Sequence, residues 1–382
     1  MIYRDFQDLK LSALGLGMMR LPVIDGKDSQ IDEPAAAKMV DIAMEAGINY
    51  YDTAWGYHEG NSELVAGRAL SGYPRESFYL ATKFPGYDPA NWDKVEEIFN
   101  KQLEKLQVEY FDFYLVHNVC EMNIDAYLDD EKYGICPYLI EQKKAGKIRH
   151  LGFSCHGSYE TLKRFLDAYG EEMEFCQLQM NYLDWTFQND KEKAQLLGEY
   201  GIPVWVMEPL RGGKLAKIAP EYEERLKALR PDESPVAWAF RFLLTLPDVP
   251  VILSGMSSEE QLRENIRIFE EERKLSDEEM SELLKIADEM LSEKTVPCTA
   301  CHYCTSHCPQ ELDIPELISM YNEHAFTGGG FLAPMLLGTM PEDKWPKACI
   351  GCRSCETVCP QQIKISEVFA EFSEMLKKEE DK

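Results

Sequence analysis

Twelve cysteines in 382 residues are the first chemistry this sequence offers, and eight of them fall into two matching runs. Cys298-x-x-Cys301-x-x-Cys304-x-x-x-Cys308-Pro309 is followed by Cys349-x-x-Cys352-x-x-Cys355-x-x-x-Cys359-Pro360. Three thiolates at two-residue intervals can wrap a tight loop around three irons of one [4Fe–4S] cube, and the fourth lies one turn further on. The proline after it donates no backbone hydrogen bond and fixes the chain direction. Zinc is the competing ligand, but zinc usually takes its four donors as two pairs. Two neighbouring clusters point to electron transfer, one electron at a time, with a purely structural role as the alternative. Cys120, Cys136, Cys155 and Cys176 show no ligand spacing and read as small buried hydrophobes.

Both runs resemble those of bacterial two-cluster ferredoxins, in which the fourth cysteine serves the other cluster. That resemblance implies one cluster on Cys298, Cys301, Cys304 and Cys359, and another on Cys349, Cys352, Cys355 and Cys308. It marks residues 296–382 as a ferredoxin-like domain. The segment 310–348 between the runs is long and partly apolar, and reads either as a mobile flap over the mouth of the preceding domain's barrel or as packing filler.

The elements ahead of the cysteines alternate. Short β-rich runs at 13–16, 50–52, 78–82, 111–116, 148–152, 175–178, 204–206 and 250–253 are separated by stretches with apolar 3–4 spacing, among them 35–46, 61–70, 95–106, 159–169, 191–199 and 259–269. Gly47, Gly146, Gly170 and Gly201 mark helix ends, and Ser258-x-x-Gln261 reads as a capping box. Eight strand–helix units in this length predict a (β/α)8 barrel over residues 1–275. A connecting helix over 276–295 then leads to the cluster domain. A doubly wound sheet is the alternative, but its glycine turn is missing: Gly15-x-Gly17 has Arg20 three positions on.

Catalytic groups in such a barrel belong at the C-terminal ends of the strands. There stand Asp52, ending the barrel's second strand, Tyr57 in the loop after it, Lys83 ending the third and His117 ending the fourth. Asn49-Tyr50-Tyr51-Asp52-Thr53-Ala54-Trp55-Gly56-Tyr57, Ala81-Thr82-Lys83, Leu115-Val116-His117 and Gly146-Lys147-Ile148-Arg149-His150-Leu151-Gly152-Phe153-Ser154 occur in order. Together they resemble the aldo-keto reductase signatures, over residues 1 to about 290. Carbonyl reduction delivers hydride to carbon while a proton must reach oxygen. A phenol is a weak acid at neutral pH. A neighbouring ammonium, Lys83, favours the phenolate and improves Tyr57 as a donor. Asp52 can hold Lys83 charged, and His117 can hydrogen-bond the substrate oxygen. Read singly, each has a plain structural role: an ion pair, a loop aromatic, a strand cap.

The same resemblance implies a nicotinamide cofactor, NADP(H) or NAD(H), held by Ser154 and Gln177 at its amide. Cys155 stands where the family usually has asparagine, and Met207 where many members stack a tyrosine. The loops after strands seven and eight form a barrel's usual phosphate site. They offer Pro209, Leu210, Gly212 and Gly213, then Ser254 and Gly255, with a helix N-terminus suited to pyrophosphate. Glu264-Asn265 matches the family's adenine-binding pair. Gly255 and Gln261 stand where a lysine and an arginine commonly grip the NADP 2′-phosphate.

Net charge is -27, with the acidic excess spread along the chain rather than gathered in a tail. That argues against nucleic acid and anionic membrane as partners. No apolar stretch has membrane-spanning length and the first residues lack an apolar signal core, so a cytoplasmic setting is expected; the clusters imply oxygen sensitivity, and hence an anaerobic one. The sequence predicts an oxidoreductase acting on a small carbonyl-like substrate, with the clusters as electron relay. Two alternatives stand beside it: a ferredoxin-dependent reductase without nicotinamide, and an electron-transfer subunit whose barrel is a scaffold. Hydride comes as an electron pair whereas each cube carries one electron, so a flavin, bound at the barrel's phosphate site, is a further candidate cofactor.

Overall fold

The computed structural model describes residues 1–380. The chain divides into two compact units, Met1–Leu283 and Leu284–Lys382, and the division falls within one helix, Asp277–Ser292.

The first unit opens with an antiparallel pair, β1 (Tyr3–Phe6) and β2 (Leu9–Ser12), turned at Gln7 with φ of 52°. Eight parallel strands follow: β3 (Leu14–Gly17), β4 (Tyr50–Asp52), β5 (Tyr79–Phe84), β6 (Phe111–Val119), β7 (Ile148–Cys155), β8 (Cys176–Gln179), β9 (Val204–Met207) and β10 (Val251–Gly255). They close into a barrel in sequence order, with β10 pairing β3. The expected strands are all present, with ends that match or differ by at most three residues.

Parallel strands covered by helices bury both faces, which accounts for their unbroken apolar runs. Tyr50, Phe113, Phe175 and Trp205 fill the barrel interior. Phe6 from the hairpin joins them, 4.8 Å from Trp205 edge to face, and Leu11 is also buried there. Truncating a ring such as Trp205 to alanine would cost about 3–5 kcal/mol in this setting. Helix starts are capped as their sequences suggest. Asp32, Ser158, Ser234 and Ser258 each accept from a backbone N–H three residues on. Gly170 ends its helix for a different reason from Gly47. Its φ is ordinary at -56°, but a β-carbon there would lie 2.7 Å from the Tyr200 ring.

In the second unit the segment between the cysteine runs forms two helices, Ile314–Thr327 and Leu332–Leu337. Leu317, Ile318 and Leu337 from them pack with Phe369 and Phe372 of the helix Ile365–Glu380, and with Cys304 and Cys355. The segment is therefore a main part of this unit's own core, the filler alternative of the two. Among the described residues no helix is long and apolar enough to cross a membrane.

Candidate active site

Lys83 is the penultimate residue of β5, one strand from Asp52 at the end of β4, and both are buried. The ammonium has three N–H donors. It has three acceptors around it: Asp52 Oδ1 at 2.6 Å, the Thr53 carbonyl at 2.8 Å and the Tyr57 hydroxyl at 3.2 Å. Gln177 Nε2 donates to the other carboxylate oxygen at 3.2 Å. Burial pulls the Lys83 ammonium down, but Asp52 and Tyr57 outweigh it, so its pKa is raised and it stays charged. Burial pushes the Tyr57 phenol up and Lys83 draws it back; burial wins, which keeps the phenol protonated.

His117 lies inside β6 rather than at its end, because the strand continues through a bulge to Val119. Asn118 adopts φ of 57° in that bulge, and its N–H donates to Ser154 Oγ at 2.7 Å. The Tyr127 hydroxyl donates to the His117 carbonyl at 2.6 Å. The imidazole meets the rings of Tyr57 and Tyr87 edge to face, at 6.1 and 5.4 Å. Burial, Lys83 and His156 hold its pKa well below the ordinary value, so the ring is neutral. Its Nδ1 has no hydrogen-bond partner among the described residues.

A buried network backs Lys83. Gln102 Nε2 donates to the Lys83 carbonyl at 3.0 Å and to Glu63 Oε1 at 2.7 Å, while Thr82 Oγ1 donates to Glu63 at 2.7 Å. Sequence reasoning missed Glu63, Gln102 and Tyr87. Gln102 had a readable signal: a polar residue on the apolar face that Val95, Ile98, Phe99 and Leu106 define in one helix.

The expected cofactor residues form a broken ring around the strand ends. Ser154 and Gln177 are buried beside the quartet, and Met207 ends β9. Pro209 and Leu210 lead into a turn in which Gly212 and Gly213 have φ of 64° and 92°. Across from it, Gly255 is exposed. Ser254 accepts from Asn265 at 3.1 Å and Glu264 accepts from Ser234 at 2.9 Å. Gln261 Oε1 accepts from the Ser257 N–H at 2.8 Å, closing the expected capping box one residue early. Arg20, noted in the sequence only as a missing glycine, spans the gap. Its side-chain carbons would lie 3.2–3.4 Å from a β-carbon at Gly255, and its Nη2 would lie 3.7 Å from one at Gly212. Among the described residues its guanidinium has no hydrogen-bond or ion-pair partner. A free guanidinium above two bare glycines is a cradle that suits a phosphate.

In the second unit the eight thiols gather in two sets. One cavity is lined by Cys298, Cys301, Cys304 and Cys359, the other by Cys308, Cys349, Cys352 and Cys355. Each set takes three thiols from one run and the fourth from the other. Four soft donors ringing a hollow suit a polynuclear iron–sulfur group better than a single ion, which needs its ligands to converge on a point.

Residues 13–288 match the aldo/keto reductase family, and residues 297–365 match a 4Fe-4S dicluster domain. The chain is 28% identical to the uncharacterized oxidoreductase YqkF of Bacillus subtilis, over 72% of this chain and 92% of that protein. It is 27% identical to the NADH-specific methylglyoxal reductase of Escherichia coli, over 68% and 90%. Among solved structures it is similar to the aldo-keto reductase AKR11C1 from Bacillus halodurans in its holo form. That likeness has a TM-score of 0.60 and 28% identity, covering 75% of this chain and 96% of the other. The chain thus belongs to the aldo/keto reductase family of oxidoreductases, with a 4Fe-4S dicluster domain following its barrel.

Proposed function

We propose that this oxidoreductase reduces the carbonyl group of a small organic molecule with Tyr57 as proton donor, and that its two [4Fe–4S] clusters relay single electrons to or from a redox partner. The observation that carries the reading is the contact of one buried ammonium, Lys83, with both Asp52 and the Tyr57 hydroxyl. Tyr57 gives its hydroxyl proton to the carbonyl oxygen as negative charge grows there. Lys83, held charged by Asp52, stabilises the phenolate left behind. His117, neutral, donates an N–H to the same oxygen and so orients the carbonyl. When bound, a reduced nicotinamide supplies the hydride. Ser154 and Gln177 would hold its amide, while Arg20 and the glycines at 212, 213 and 255 would hold its phosphates.

NADH is the form we assign. Gln261 turns back onto the Ser257 N–H, and neither Gly255 nor Gln261 brings charge to a 2′-phosphate. The similar Escherichia coli protein is NADH-specific. The missing aromatic at Met207 favours a second reading, reduction driven by ferredoxin without nicotinamide. Anaerobic purification, with analysis of iron, sulfide and released nucleotide or flavin, tests both. We expect about eight irons per chain and methylglyoxal reduction by NADH that Tyr57→Phe abolishes. Turnover with reduced ferredoxin alone would establish the second reading. Released flavin would mark the agent that splits the electron pair.

A further inference from the structure

The turn that presents Tyr57 is held in an unfavourable conformation. His58 and Glu59 have φ/ψ of 53°/46° and 53°/34°, and Gly60 follows with φ of 91°. Successive left-handed residues that carry a β-carbon crowd the following carbonyls, so something outside the turn must hold it. Besides Tyr57 itself, the His58 side chain leaves the turn for the interior, and it is 3% exposed. Its Nε2 accepts from the Leu21 N–H at 3.1 Å. Its Nδ1 lies 2.9 Å from the Asp28 carbonyl and 3.0 Å from Asp28 Oδ1. Accepting at Nε2 sets the tautomer, and Nδ1 donates to Asp28. Both partners belong to the segment that follows β3, where Arg20 adjoins Leu21.

We propose that His58 is a positioning residue for the proton donor: its imidazole fastens the turn carrying Tyr57 to the segment carrying Arg20. The proposal rests on the reading of Tyr57 as donor. Neighbouring contacts join the same two segments. Ser62 Oγ donates to the Met18 carbonyl at 2.9 Å and Asn61 Nδ2 to the Ser29 carbonyl at 3.1 Å. Those bonds anchor the helix behind the turn. Within the turn, Lys105 Nζ donates to the Gly60 carbonyl at 3.0 Å and Asn61 Nδ2 to the His58 carbonyl at 3.1 Å; the His58 imidazole is the side chain of the turn that crosses to the segment after β3, one residue from the reacting hydroxyl.

The test compares His58→Phe with His58→Gln, whose amide can still accept from Leu21 and donate to Asp28. Methylglyoxal and NADH serve as probes, with the full chain kept anaerobic. His58→Phe should lower kcat roughly ten- to hundredfold while KM for NADH changes little. Its solvent deuterium isotope effect should rise, because proton delivery from a displaced phenol becomes limiting. His58→Gln should restore most of kcat and the isotope effect. A merely structural histidine would lower the active fraction and leave the isotope effect unchanged, which overturns the proposal. A second measurement needs no turnover: titration of the Tyr57 ring by ¹³C NMR, assigned with Tyr57→Phe. In His58→Phe the midpoint should move up by about one pH unit as Lys83 and the phenol separate. An unmoved midpoint overturns the proposal even if the carbonyl substrate is wrong. A moved midpoint without wild-type turnover upholds it and sinks only the reductase reading.

Discussion

Gln177 donates to Asp52 at 3.2 Å, so the carboxylate facing Lys83 is held on both of its oxygens. The family resemblance put Gln177 against a cofactor amide; with one Nε2 N–H engaged by Asp52, its Oε1 and second N–H remain to serve that role. Gln177→Leu would strip a donor from a buried carboxylate and should destabilise the barrel by about 1–3 kcal/mol. Gln177→Glu adds a second carboxylate beside Asp52. Ionised, it repels; protonated, it donates as glutamine does. Its destabilisation should therefore shrink as pH falls toward 5. Denaturant unfolding at two pH values decides it, and an equal loss at both would remove Gln177 from the ion pair.

Asp52 and Lys83 are 4% and 0% exposed at their side chains. Lys83→Met leaves an uncompensated buried carboxylate, at a cost of about 3–5 kcal/mol. Removing the charge as well, in Asp52→Asn/Lys83→Met, should recover a good part of that loss without recovering turnover. Stability and activity then separate: the pair's first role is chemical. A double variant as unstable as Lys83→Met would mean the pair is needed for packing.

The pH profile follows from two directions. The proposed reduction needs Tyr57 protonated, and burial raises its pKa above the ordinary value near 10 despite Lys83. The rate should be level through neutral pH and fall only in strong alkali, as the phenol ionises. His117 is held far below its ordinary range, so it stays neutral and adds no limb near pH 6.5. A limb there, lost in His117→Asn, would contradict this arrangement.

Much of the barrel could be read because its buried strands are short apolar blocks and its candidate residues Asp52 and Lys83 stand at or next to their ends. What escaped was what leaves no periodic mark. The hairpin of β1 and β2 carries Arg4, Asp5 and Lys10 on its outer positions and looks like a polar tail, although Phe6 and Leu11 plug the barrel. The bulge at Asn118 carried His117 two residues inside its strand, and only asparagine's tolerance of positive φ hints at it. Arg20 showed itself only through space: its worth lies in its nearness to Gly212 and Gly255, nearly 200 or more positions away. The cysteine runs were legible throughout, because metal ligation ties spacing to chemistry directly.

The crossing of the fourth thiols makes the sharpest prediction about the second unit. Cys359 shares a cavity with Cys298, Cys301 and Cys304, while Cys308 shares the other with Cys349, Cys352 and Cys355. Cys359→Ala should thus damage the cluster of the first run and spare that of the second, and Cys308→Ala the reverse. Either should cost up to about half of the iron and leave one intact cluster signal by electron paramagnetic resonance in the reduced protein. Cys298→Ala should reproduce the spectrum of Cys359→Ala, and Cys349→Ala that of Cys308→Ala. Cys155→Ala is the control, a buried thiol of β7 that should leave iron unchanged. Because Cys304 and Cys355 lie within the apolar core of this unit, chelating all the iron should loosen its helices. The barrel, with a core of its own, should still unfold in a single transition. If Cys359→Ala instead matches Cys349→Ala, each run holds its own cluster and the crossed arrangement is wrong.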